Sequence, residues 1–203
     1  MILFELTQSE QHPVYQALEV SNGDRQYSFL RSVVIAALEI ERPFLSQTVL
    51  KALNFYAIGC LHVNAGAYRP CEVAVGGYNP PAYYRVQALM DDFVNDVNRF
   101  WENHSPVALA AFVLWKLNFI HPFINGNGRT ARAASYYTLC LKAGGLLPGA
   151  PMLPELLRTA RDRYVLALQA ADASIQKGNL DTSKLQALIS ELIIQQLESA
   201  NPS

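Results

Sequence analysis

Histidine, cysteine and tryptophan are scarce in this chain, at four, three and two among 203 residues. Cys60, Cys71 and Cys140 are odd in number and share no metal-ligand spacing, which argues against a disulfide framework or a zinc module and for a reducing cytosol. His12, His62 and His104 lack acidic or cysteine neighbours at ligand spacing and read as surface or packing histidines. Charge is sparse as well. Charged residues make up 16%, the net charge is −1 and no block of like charge occurs, so there is no global electrostatic footprint for nucleic acid. Long apolar runs are missing too: the longest ends at Lys116, too short to span a bilayer. Met1-Ile2-Leu3-Phe4 meets Glu5 at once, with no basic segment before an apolar run, so no signal peptide is read. A cytoplasmic protein with neither nucleic acid nor membrane as partner is expected, export as a secreted effector being the alternative. What the chain does have is an apolar fraction of 51%, a globular balance in a length that suits one domain.

The patterning is almost entirely helical, without internal repeats or a long linker. Tyr27 to Glu41 is apolar-rich and helical, stopped near Pro43. Ser46 is placed to cap a second helix running to about Val63. Gly66, Pro70, Gly76, Gly77, Pro80 and Pro81 then break the pattern, and Tyr68 to Val75 between them leans toward one arm of a short hairpin. Helical spacing resumes from Pro81 to about Asn103. Ser105-Pro106 reads as an N-cap followed by proline in the first turn, opening a helix apolar nearly all round. A further helix runs to Ala143 and stops at Gly144-Gly145. Glu155 to Gln176 and Thr182 to about Ser199 complete the set, with Asp181 as the cap of the last.

Between the two central helices lies His121-Pro122-Phe123-Ile124-Asn125-Gly126-Asn127-Gly128-Arg129-Thr130-Ala131-Arg132. Gly126 and Gly128 allow main-chain N–H groups to approach an anion with no Cβ in the way. The helix that starts there adds its positive dipole end. Arg129 and Arg132, three apart, share a face of its first turn, and guanidinium forks match phosphate oxygens. The stretch reads as a polyphosphate cradle with an imidazole at its rim. His121 titrates near neutrality and suits general-base work, while Phe123 reads as a packing anchor and Pro122 as a helix stop.

The pattern His-Pro-Phe-x-x-Gly-Asn-Gly-Arg-x-x-Arg resembles the signature of Fic proteins, most of which transfer AMP from ATP to a protein hydroxyl. The resemblance implies an all-α, Fic-type helical bundle with a short β-hairpin flap. It divides the chain into an N-terminal extension (1–27) packing on the core, a Fic domain (28–199) and a tail (200–203). It also implies that Asn127, Arg129 and Arg132 hold the α-, β- and γ-phosphate regions, that Gly126 and Gly128 belong to the nucleotide cradle, and that Tyr164 lies at the nucleotide. Gly66-Ala67-Tyr68-Arg69 with Val73-Ala74-Val75 resembles the flap, which pairs with the extended backbone of the target. On that basis Tyr68, Arg69, Val73, Ala74 and Val75 are the expected target-binding residues.

Asn125 is a departure, because most Fic proteins carry Asp or Glu there to hold Mg²⁺. A neutral amide implies a weakly held ion resting mainly on phosphates and water. A second departure concerns restraint. Many Fic proteins carry an inhibitory Ser/Thr-x-x-x-Glu-Gly/Asn helix, and here Ser32 fits its first position while Ala36 stands in place of the glutamate. Either self-inhibition is missing or Ser32 to Ala37 is simply core helix. The expected partner is a protein with a Ser, Thr or Tyr hydroxyl, auto-modification included, and an antitoxin or a second copy is a further candidate. Transfer of UMP, phosphocholine or phosphate by the same fold, and a weakly active nucleotide-binding module, are the competing functions.

Overall fold

The computed structural model describes residues 2–40 and 44–200. In chain order its helices are α1 (Leu3–Thr7), α2 (Pro13–Glu39), α3 (Gln47–Ile58), a 3-10 turn at Tyr83–Arg85, α4 (Val86–Phe100), α5 (Pro106–Ile120), α6 (Asn127–Ala143), α7 (Leu153–Thr159), α8 (Arg161–Gln176) and α9 (Ser183–Glu198). Pro43, the expected stop of the first long helix, and the tail beyond Ala200 lie outside the described residues.

Local chemistry sets most of these boundaries. Ser46 and Ser105 cap α3 and α5, their hydroxyls accepting the N–H of Val49 and Ala108 at 3.2 Å each. Gly144, at φ 76°, ends α6 where the glycine pair is expected to stop it. Asp181 takes the Ser183 N–H at 2.8 Å at the start of α9. Other boundaries differ from the sequence expectation. α2 begins at Pro13 rather than Tyr27 and runs unbroken through residues 27 and 28. Pro81 lies outside α4, which starts at Val86 after the 3-10 turn. Glu155 to Gln176 is two helices, interrupted at Ala160.

The expected β-hairpin flap is the largest difference. Among the described residues no strand forms, and Val75 and Tyr78 make one isolated antiparallel bridge. Their N–H groups reach each other's carbonyls at 3.2 and 2.9 Å. The glycine pair and prolines around the bridge leave no run of residues able to extend the ladder.

At the centre, α5 packs against α6. Leu109, Leu114, Leu117 and Ile120 of α5 are fully buried, as are Ala131, Ala134 and Ser135 of α6. The small side chains let the two backbones approach, and Ser135 Oγ donates to the Ala110 carbonyl at 2.9 Å. α2, α3 and α7 pack on α6, and α4, α8 and α9 pack on α5. The N-terminal extension is tied down by main-chain bonds, Leu3 N–H to the Cys60 carbonyl (2.9 Å) and Phe4 N–H to the Leu61 carbonyl (3.0 Å). The signature stretch is therefore the connection between the two most buried helices. No described helix is long and apolar enough to cross a membrane.

Candidate active site

α5 ends on His121, whose backbone is left-handed at φ 51°, ψ 59°. That conformation is uncommon outside glycine and turns the chain sharply toward Phe123. Phe123 is fully buried and packs on Tyr68, as a loop anchor should. Gly126 repeats the left-handed geometry at φ 74° as the N-cap of α6. A Cβ there would come within 2.6 Å of Ile58 Cγ2, so position 126 admits glycine alone without movement of its neighbours.

No side chain caps the N-terminus of α6. The N–H groups of Asn127, Gly128 and Arg129 have no intrahelical acceptor, while Thr130 N–H reaches the Gly126 carbonyl at 2.9 Å. The N–H of Gly126 likewise has no acceptor among the described residues. These donors, that of Gly126 included, line a cleft of about 390 Å³ together with His121, Asn125, Arg129, Arg132, Ala74 and Val75. A second cleft, of about 650 Å³, shares His121, Gly128 and Val75 with the first and extends past Tyr78, Trp115, Asn118, Tyr164 and Asp172. His121 stands where the two meet.

Burial lowers the His121 pKa to about 4, opposed by hydrogen bonding to the Asn118 main chain and assisted by the nearby Arg69 cation. The imidazole is therefore neutral at physiological pH, the state a proton acceptor needs. Arg132 is half-buried and makes no hydrogen bond or ion pair among the described residues. Burial lowers its pKa as well, the mark of a partly desolvated cation. Tyr164 is buried and its hydroxyl accepts from Asn118 Nδ2 at 2.7 Å.

Several expected ligands are otherwise engaged. Arg129 turns away from Arg132. It donates to the Ala57 carbonyl at the end of α3 (3.0 Å) and to Asn125 Oδ1 (3.3 Å), and it pairs with Glu19 of α2 at 3.1 Å. The Asn127 side chain is a strut: Oδ1 accepts from Phe123 N–H at 2.9 Å and Nδ2 donates to the Phe123 carbonyl at 2.8 Å. That leaves its main-chain N–H, and not its amide, for an anion. Asn125 donates from Nδ2 to Glu10 at 2.9 Å while its oxygen faces Arg129. This donor set does not fit a resident Mg²⁺. The one oxygen at position 125 is neutral and turned to a guanidinium, and no cluster of three or more His, Cys, Asp or Glu suited to a metal occurs among the described residues.

Of the expected target-binding residues, Val73, Ala74 and Val75 lie on the surface loop, and Ala74 and Val75 line the cradle cleft. Tyr68 and Arg69 point inward instead. Tyr68 donates to Gln47 (2.9 Å), and Arg69 is 2% exposed. Ser32 and Ala36 do not come to the site. Both are exposed on α2, and Ser32 lies thirteen residues past Glu19, roughly 20 Å along the helix axis. The other face of that segment, Val34 and Ala37, is buried, as in an ordinary core helix.

Asn54 is a site residue that sequence reasoning missed. Fully buried on α3, it donates to the Asn125 carbonyl (2.9 Å) and Thr130 Oγ1 (3.3 Å) and accepts the Gly66 N–H (3.0 Å). One amide thereby joins α3, the loop after it, the signature and α6. Its signal was a polar residue inside an apolar stripe, Leu50, Leu53, Ala57 and Ile58. Glu10 and Glu19 carried no such signal, since exposed glutamates are ordinary.

An imidazole held neutral on a left-handed helix end, facing an uncapped helix N-terminus and a free guanidinium, defines a class. Residues 44–139 match the model of the Fic/DOC family. It is similar to the protein adenylyltransferase Fic of Drosophila grimshawi, 41% identical over 130 residues covering 62% of this chain and 25% of that protein. The protein of the same name from Drosophila virilis is 40% identical over 133 residues, with the same two coverages. The chain thus spans about a quarter of the length of these curated relatives. Among solved structures, a Fic domain containing signaling protein from Bacteroides thetaiotaomicron has a TM-score of 0.72 at 21% identity, covering 98% of this chain and 79% of that one. A fragment of Fic-1 from C. elegans has a TM-score of 0.70 at 23% identity, covering 89% of this chain and 49% of that one. The structural likenesses speak for the fold.

Proposed function

We propose that the chain transfers AMP from ATP to a Ser, Thr or Tyr hydroxyl of a protein. The observation that carries this reading is the unpaired Arg132 guanidinium and the free N–H groups of α6 in one cleft with a neutral His121. A histidine alone would support many chemistries. An imidazole beside an anion cradle supports attack on phosphorus. The naming of the Drosophila relatives as protein adenylyltransferases supports AMP as the group moved.

In this reading the triphosphate lies over the N-terminus of α6, with Arg132 and the N–H groups of Asn127, Gly128 and Arg129 on its oxygens. The nucleoside extends into the larger cleft beside Tyr164. The target hydroxyl gives its proton to His121 as its oxygen bonds to the α-phosphorus. The bond from that phosphorus to the bridging oxygen breaks, and pyrophosphate leaves with the electron pair. Charge neutralisation by a divalent cation would have to rest on the phosphates, since residue 125 offers no charged ligand.

One observation favours the weaker reading of a nucleotide-binding module. The Glu19 carboxylate already occupies Arg129, and a phosphate would have to displace it. Calorimetric titration with ATP separates the cases when combined with transfer assays. Arg132→Ala should weaken ATP binding at least about tenfold, the scale of one charge-assisted contact. Equal affinity in the two proteins would remove Arg132 from the phosphate site.

A further inference from the structure

Among the described residues Arg69 is the most completely engaged guanidinium. Its Nε donates to the His121 carbonyl at 2.8 Å, and its main-chain N–H donates to the Pro122 carbonyl at 2.8 Å. One terminal nitrogen donates to the Cys71 carbonyl at 3.0 Å and lies 3.4 Å from a Glu72 carboxylate oxygen, and the other donates to the Pro81 carbonyl. The carbonyls of Cys71 and Pro81 are the two ends of the surface loop that carries the Val75–Tyr78 bridge. A single side chain thus closes that loop at its base and binds the backbone of the candidate base residue.

Tyr78 adds a second tie, its hydroxyl donating to the Phe119 carbonyl at 2.6 Å. Phe119 lies in the last turn of α5 and His121 is the C-cap that follows it, and the carbonyls at that end have no intrahelical partners and form the negative end of the helix dipole. A buried cation and a phenol from the loop satisfy them. The left-handed backbone of His121 is a geometry that persists only where the surroundings over-determine it. Arg69, at the base of loop 71–81, bonds the His121 carbonyl, and Tyr78 within the loop bonds that of Phe119.

Resting on the reading of His121 as the base, we propose that Arg69 is a positioning residue that makes loop 71–81 and His121 one mechanical unit. Ala74 and Val75 line the cleft beside His121, so a protein segment docked along them presents its hydroxyl in the same frame that orients the imidazole. The phosphate cradle has ties of its own that do not involve Arg69, from Asn54 to the Asn125 carbonyl and from Asn127 to Phe123. Loop and base should therefore loosen together and leave nucleotide binding alone.

The test uses the full chain with Arg69→Lys, which keeps the charge and loses the fork, and Tyr78→Phe, which removes the second tie without touching the guanidinium. Amide hydrogen exchange reads segments 71–81 and 118–123, calorimetry reads ATP affinity, and intact mass reads AMP transfer in auto-modification. In Arg69→Lys both segments should exchange faster together, ATP affinity should stay within about twofold, and transfer should fall by on the order of 10²-fold, as expected when a reacting group is misplaced by about 1 Å. Tyr78→Phe should show the same pairing at smaller amplitude. Faster exchange in the loop with 118–123 unchanged would overturn the proposal, as would undiminished transfer in Arg69→Lys. If the starting protein binds ATP but transfers nothing, the functional reading fails while hydrogen exchange still decides whether loop and base form one unit.

Discussion

Burial of His121 has two consequences that can be measured apart. Its pKa falls from 6.5 to about 4, so between those values the unfolded chain holds a proton that the folded protein excludes. Unfolding takes up that proton, and the contribution of this residue to stability is constant above pH 6.5 and declines as the pH drops toward 4. The ring carbon and nitrogen signals of His121 should still report a neutral imidazole at about pH 6; half-protonation near the ordinary value for histidine would contradict the buried placement. His121→Ala should cost about 10²–10⁴-fold in transfer with ATP affinity little changed, and unchanged transfer would rule out its role as base. At position 125 the missing charge is testable directly. Asn125→Asp restores a hard oxygen ligand and should lower the Mg²⁺ concentration needed for half-maximal transfer; superimposable Mg²⁺ titrations would place the residue outside the metal's reach.

At the level of elements, the junction of α5 with α6 depends on two left-handed residues, His121 and Gly126. Gly126→Ala combines an unfavourable backbone with a Cβ 2.6 Å from Ile58 and should destabilise the fold by about 2 kcal/mol or more, read as a loss of denaturation free energy. An unaltered midpoint would mean that the loop has freedom the packing does not suggest. α2 offers the contrasting case. Glu19→Gln should release Arg129 and tighten ATP binding, whereas Ala36→Glu lies on an exposed turn well removed from the cradle and should leave transfer as it was. Suppression by Ala36→Glu would favour the inhibitory position over plain core helix, the two readings that the sequence left open for this segment. The caps at Ser46 and Ser105 and the stop at Gly144 were legible because each is written in adjacent residues. The flap was not, since strand-favouring residues pair only where two runs face each other, and glycine and proline prevent that here. The break at Ala160 has no turn residue to announce it.

For the molecule as a whole, the anion cradle was legible from twelve consecutive residues, and the partners of its side chains were not. Asn54, Glu10 and Glu19 reach the signature from positions 71 to 115 residues away from Asn125, or from the first turns of α2, a relation that only the tertiary fold creates. The same fold holds Asn127 as a strut and turns Arg129 toward α3, so Arg132 stands alone as the free cation of the cradle among the described residues. Group transfer is the central claim, and the label on the nucleotide decides it. Purified chain incubated with Mg²⁺ and ATP labelled at either the α- or the γ-phosphate, with and without lysate proteins, is read by intact mass and retained label. The account predicts retention of the α-label with a mass gain of one AMP on the chain or a target, no retention of the γ-label, and loss of both signals in His121→Ala. Retention of the γ-label with a gain of one phosphate, or ATP binding with neither label transferred, would contradict it.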